Sequence, residues 1–283
     1  IVEPMAGSTG VLIPPVGYLQ RLRDICTKHG IILIFDEVIT AYGRVGGATA
    51  AGAWGVTPDI ITMAKGLTNA AVPMGAVAVS RQIHDDVVNN AADGIELFHG
   101  YTYSGHPLAS AAGIATLDLY RDEGLFGKAD ELGAYWADAA HSLKGKPHII
   151  DIRTIGLVAG IELEPRPGAP TKRATELFHA CFDNGLLVRA TGDIIALSPP
   201  LILEKAHIDE MFGKIGELLD TIAPITAGVL RTACRQHRIW RDKSFGGMQM
   251  SVNLPPVQFR ERGVELGDDP RAGYEEPVRD ERG

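Results

Sequence analysis

Two acids and a lysine are the residues in this chain best suited by type and place to do chemistry. Asp36 and Glu37 close the run "IILIF", Ile31 to Phe35, and Lys65 follows the apolar stretch "PDIITMA". A run of that length, rich in β-branched and aromatic residues, reads as a strand buried on both faces. The acids then stand at its carboxyl end, the edge where open α/β sheets take ligands. Lys65 comes 29 residues after Asp36 (65 − 36), and a strand-loop-strand path returns it to the same edge. A lysine among apolar neighbours loses its proton more readily, as a Schiff-base amine must. A nearby acid can keep the ring nitrogen of a pyridoxal-type cofactor protonated, which makes the ring an electron sink. Plainer readings stay open for each residue: an acid capping the next element, and a solvated lysine.

The elements that must position these groups are legible around them. "PPVGYLQRLRDICTKHG" reads as an amphipathic helix, with Pro near its start and Gly after its end. "PDIITMAK" and "GAVAVS" read as two more short buried strands, so the first half predicts a βαβ-rich, mostly parallel sheet. A long helical stretch runs from His106 to about Leu143, interrupted near Gly124. The texture then changes to an α+β pattern. "IIDIRTIGLVAGIELE" predicts two strands around Gly156, "TKRATELFHACFDN" a helix, "GLLVRATGDIIALSPP" a hairpin and "KAHIDEMFGKIGELLDTI" a final helix. The glycines of "YGRVGGATAAG" match neither nucleotide-loop spacing and read as a flexible connection.

Composition narrows the classes. The chain has 283 residues, 45% hydrophobic and 22% charged, enough for a sizeable core. A net charge of −8 argues against a nucleic-acid surface, and no apolar run approaches a membrane span. Cys26, Cys181 and Cys234 are scattered without C-x-x-C spacing, which points to reduced thiols and a cytoplasmic setting. His99 and His106 have no second metal-type ligand at helical or loop spacing, so no metal site is expected. The first residues "IVEPMAG" read as the end of a strand without an initiator Met, which predicts a fragment.

Taken in order, "VEPMAGSTG", "LIFDEVITAYGRVG", "PDIITMAKGLTNAAVPMGAVAVS" and "FHGYTYSGHPLASAAGIATL" resemble the class III pyridoxal-phosphate aminotransferases. Within that family the β-alanine:pyruvate, or ω-amino acid, aminotransferases look most similar. The resemblance runs from residue 1 to about residue 223 and implies a partial α/β fold type I of PLP-dependent transferases. Residues 1–145 would be the C-terminal part of the large cofactor-binding domain, and 146–223 the small α+β domain. It also implies pyridoxal phosphate, small amino-acid and keto-acid substrates, and a homodimer. By that resemblance Asp36 would pair with the pyridinium nitrogen and Val38 would lie against one face of the ring. Lys65 would bond its amine to the cofactor and shuttle the proton at the reacting carbons. Thr102 would donate to the phosphate in the other subunit, and Arg189 would take the substrate carboxylate. Glu3 and Glu37 stay open between orienting the site and serving as ordinary strand-end polar groups.

The pattern departs from the family in two ways. Family members are about twice as long, and neither their phosphate-holding loop of small residues nor their ring-stacking aromatic lies in these residues. That makes a catalytically incompetent fragment, or a fused or decayed reading frame, the alternative to an active enzyme. An incomplete sheet would also leave apolar faces exposed. The stretch 224–263, "PITAGVLRTACRQHRIWRDKSFGGMQMSVNLPPVQFRERG", resembles part of an EAL-type cyclic-di-GMP phosphodiesterase. Asn253 would match a metal-binding Asn there, but the other ligands of a two-metal site are absent. Residues 264–283, rich in charge, Pro and Gly, predict disorder.

Overall fold

The structure is a computed structural model that describes residues 1–222 other than 92, 93 and 96. The expectations for 224–263 and 264–283, Asn253 included, lie outside the described residues. Two sheets organise the rest. The first has three strands in the order β1 (Ile34–Asp36), β2 (Ile60–Met63), β3 (Ala76–Val79). Strands β1 and β2 are parallel, with Asp36 opposite Thr62. Val2 adds a parallel bridge to Phe35 on the other side of β1.

Before this sheet comes helix α1 (Tyr18–His29). It ends at Gly30, whose left-handed backbone lets its amide reach the Cys26 and Thr27 carbonyls. Leu19 and Cys26 of α1 pack with Leu33, Phe35 and Val56. The strand after it starts later than the apolar run suggests. Ile31 and Ile32 are each 53% exposed, and pairing begins only at Ile34. Asp59 is the physical reason. Its carboxylate accepts the Leu33 amide at 2.6 Å and its own amide donates to the Leu33 carbonyl at 2.8 Å, so Leu33 is held by a loop.

Strand β3 runs antiparallel to β2, against the mostly parallel expectation. Residues 64–75 between them carry one turn of 3₁₀-helix (Lys65–Leu67) and no crossover helix. A parallel return needs a crossover of a dozen or more residues, usually helical; this link only folds back. Two short helices were not foreseen: α2 (Ala50–Trp54) and α3 (Arg81–Asn89), the latter capped by Ser80 accepting the Ile83 amide.

Helix α4 (Pro107–Asp122) and helix α5 (Lys128–His141) form the long helical stretch, broken at Gly124 by a left-handed residue and a 3₁₀ turn. The second sheet has the order β4 (Ile149–Ile155), β5 (Val158–Leu163), β7 (Ile194–Leu197), β6 (Arg189–Thr191), all antiparallel. Helices α5 and α6 (Lys172–Asp183) pack on this sheet, and α7 (Lys205–Ile222) packs on both helices. At that joint the fully buried Trp136 meets Phe212 edge-on at 4.9 Å. These elements match the strands, hairpin and helices read from residues 149–222.

Candidate active site

The two acids after β1 part company. Side chains alternate along a strand, so Phe35 and Glu37 share one side and Asp36 takes the other. Phe35 and Glu37 are fully buried, whereas Asp36 is half-buried. Glu37 accepts the Ala50 and Ala51 amides at 2.5 and 2.9 Å, and the Thr40 hydroxyl at 3.3 Å. Thr49 takes the next amide, Gly52, on its hydroxyl, so the open N-terminal donors of α2 are satisfied from two directions. Glu37 is therefore a structural carboxylate. Asp36 accepts only the Val38 amide, at 3.1 Å through Oδ1. Its second oxygen has no protein partner among the described residues.

Lys65 lies three residues past Thr62, the register partner of Asp36 on the parallel neighbour, so both follow the same edge of the sheet. Its ammonium has no ion pair or hydrogen bond among the described residues, and the side chain is exposed. Its backbone is left-handed, φ 44°, as are those of Asn69 and Ala70 in the same turn. Each such residue costs about 1 kcal/mol for an L side chain, a strain found where surrounding structure over-determines the backbone.

Behind Lys65 stands an aromatic group that the sequence reading missed. Tyr120 of α4 donates its hydroxyl to the Gly66 carbonyl at 2.7 Å. Tyr42 stacks on Tyr120 at 5.9 Å, and Phe126 lies 5.0 Å from Tyr120 on its ring. A Cβ on Gly66 would stand 2.9 Å from Tyr42 Cβ and 3.2 Å from the Tyr120 hydroxyl, so no larger residue fits without a shift. Burial pushes the Tyr120 hydroxyl above its ordinary pKa, against an opposing pull from Arg44, and so keeps it a donor. The only sequence signal was a Gly immediately after the lysine; its partners lie 24 residues before and 54 after it.

The segment read as a flexible connection is instead a packed strut. Arg44 donates to the Leu157 and Pro199 carbonyls at 3.2 and 2.6 Å, joining the loop after β1 to the second sheet. Burial lowers its guanidinium to about 10, while Tyr120 pulls the other way. Gly43 has room for no Cβ among Leu201, Phe126 and Leu125 without crowding, and one on Gly156 would sit 2.6 Å from the Arg44 carbonyl. Gly43 and Gly156 must be small for close approach, and Gly43, Gly46 and Gly47 also take a left-handed backbone that favours glycine. Arg153 makes a second tie, donating to the Gly10 and Val11 carbonyls at 2.8 and 3.2 Å.

The remaining candidates lie apart. Thr102 is exposed and lines an open cleft of about 940 Å³ with residues 72–75, 99–106 and Ala109. Neither Asp36, Val38 nor Lys65 lines that cleft. Arg189 is exposed at the start of the edge strand β6, without a side-chain partner among the described residues. Glu3 accepts the Gly7 amide at 3.1 Å, a local turn. His99 accepts the Tyr101 amide at 2.9 Å, and His106 caps α4 through Ala109 at 3.4 Å.

An acid and an amine without a partner among the described residues, at the carboxyl edge of an α/β sheet beside a small antiparallel sheet, are consistent with part of a PLP-dependent transferase of fold type I. Comparison with known proteins agrees. Residues 1–219 match the family Aminotransferase class-III, and the chain belongs to that family. It is 67% identical over 222 residues to an omega-aminotransferase of Caulobacter vibrioides, covering 78% of this chain and 51% of that one. It is 48% identical to a beta-alanine--pyruvate aminotransferase of Pseudomonas aeruginosa, covering 79% and 50%. The PLP-bound crystal structure of an amine transaminase from an uncultivated Pseudomonas species superposes with a TM-score of 0.71 at 37% identity, over 75% of this chain and 50% of that one. The chain spans about half the length of the relatives it matches. Among the described residues no helix is long and apolar enough to cross a membrane.

Proposed function

We propose that this chain is the lysine-bearing part of a pyridoxal-phosphate aminotransferase that moves an amino group from an ω-amino acid such as β-alanine to a keto acid such as pyruvate. The observation that carries it is the β1–β2 register, which sets Asp36 and Lys65 on one sheet edge, each with a functional atom that has no partner among the described residues. The donor set suits the cofactor: a carboxylate for a ring N–H, and an amine for an aldehyde. Pyridoxal phosphate, when bound, supplies that aldehyde and a ring that accepts electron density.

In this reading Asp36 holds a proton at the ring nitrogen through its unpartnered oxygen. Lys65 would hold the aldehyde carbon, with loss of water, until the substrate amine displaces it, and the freed amine would then take and return the substrate proton. Val38 walls one ring face. Thr102 donates to the phosphate held by a second protomer, and Arg189 takes the substrate carboxylate through its planar fork. Residues 1–145 serve as the cofactor-binding portion and 146–223 as the small domain, in line with the separate sheets. Cys26 and Cys181, buried and without a disulfide among the described residues, support a reducing, cytoplasmic setting.

A second reading, a chain that takes the cofactor without turnover, is favoured by the exposure of Lys65. Borohydride treatment with pyridoxal phosphate, followed by peptide mass spectrometry, tests the first reading: the label falls on Lys65. A label elsewhere refutes the role of Lys65. Turnover of β-alanine with pyruvate by this chain excludes the second reading.

A further inference from the structure

We propose that Tyr120 is a positioning residue for Lys65, acting through the Gly66 carbonyl. The proposal rests on Lys65 bearing the amine chemistry described above. Lys65 holds a left-handed backbone that an L residue keeps only where its surroundings enforce it. The enforcement comes from the next residue. Gly66 is gripped on its carbonyl by the Tyr120 hydroxyl at 2.7 Å, and Tyr42 closes the space where a side chain would stand: a Cβ there would lie 2.9 Å from Tyr42 Cβ and 3.0 Å from its ring. Tyr120 is buried, and its ring is flanked by Tyr42 and Phe126, so helix α4 delivers the hydroxyl from a rigid base. On the near side, the Thr68 and Ala70 amides both donate to the Lys65 carbonyl at 3.3 Å. These bonds tie the peptides on both sides of the Gly66 α-carbon, and the Leu67 amide, donating to the Ala64 carbonyl at 3.1 Å, ties the peptide before Lys65; the hydroxyl is spent on the loop rather than on a reacting group.

The test uses the full chain, with pyridoxal phosphate and borohydride as the probe. The rate of label fixation on Lys65 is read against that on Lys144, an exposed lysine in the same molecule. Tyr120→Phe keeps the ring and removes the hydroxyl. It slows fixation on Lys65 about tenfold or more, because a small misplacement of a reacting group is that costly. Lys144 is unaffected. Phe126→Leu loosens the same ring packing but leaves the hydroxyl, and keeps Lys65 within about twofold of the parent.

Unchanged Lys65 fixation in Tyr120→Phe, or an equal loss in Phe126→Leu, overturns the proposal. A parent chain that takes no label on Lys65 refutes the functional reading instead, and this inference with it. If Tyr120→Phe does not retain the parent circular dichroism spectrum, hydrogen exchange of the parent decides. The Thr68 and Ala70 amides exchange slowly if the loop is held, and exchange at unprotected rates overturns the proposal.

Discussion

Replacing Glu37 by Gln separates the two acids after β1 as sharply as any single change can. The Glu37 carboxylate is fully buried and accepts three donors, two of them backbone amides that open helix α2. Gln keeps one acceptor oxygen and turns an NH₂ group toward the other donors. One buried backbone amide then goes unpaired, at about 1–3 kcal/mol, and the surviving bond loses its charge assistance, at about 1 kcal/mol. The sum, about 2–4 kcal/mol, lowers the thermal midpoint of a domain of this size by roughly 4–16 °C. Asp36→Asn loses little by comparison, because its carboxylate is half-exposed and accepts one amide at 3.1 Å. Thermal unfolding followed by circular dichroism measures both. Below its own midpoint, Glu37→Gln still takes the pyridoxal phosphate label on Lys65. A midpoint for Glu37→Gln equal to the parent's, or a larger drop for Asp36→Asn, refutes the division of roles.

Three further outcomes follow from other contacts. Gly156→Ala destabilises by about 2–4 kcal/mol, since a Cβ would press on the Arg44 carbonyl at a left-handed backbone position, and chemical denaturation measures the loss. Burial draws the Asp59 carboxyl upward, but the bonds from Arg23 and the Leu33 amide outweigh it and hold its pKa below the ordinary value. A depressed carboxylate stabilises above its unfolded pKa of about 3.9 and loses that contribution as pH falls through the folded value. Asp59→Asn is therefore less stable than the parent at pH 7, and the gap in thermal midpoint narrows toward about pH 3; a constant gap counts against the linkage. Cys181 is fully buried, which pushes its thiol up to about 11, so a water-soluble disulfide reagent leaves it unmodified until the protein unfolds.

Much of the architecture was readable because it depends on local chemistry. Helix α1 stops where Gly30 can turn left-handed, β4 and β5 meet at Gly156, and the hairpin of β6 and β7 turns at Gly192. The misreadings share one cause: pairing and burial depend on residues far away in sequence. Ile31 and Ile32 have strand chemistry but stay outside the ladder because Asp59 holds Leu33 in a loop. "YGRVGG" has loop composition, yet its Gly43 and Gly46 admit close approach of residues more than 80 positions downstream.

The candidate site divides the same way. From the residues alone came an acid and a lysine on one sheet edge, since strand chemistry and the spacing from Asp36 to Lys65 require only local rules. The resemblance singled out Asp36, but the role of Glu37 needed the tertiary structure: an apolar run reads alike on both sides, and only the helix that comes to rest on Glu37 shows it to be buried and structural. The grip of Tyr120 on Gly66 was likewise invisible in sequence. It spans 54 residues, and its chemistry is a single hydroxyl whose meaning depends on where helix α4 packs.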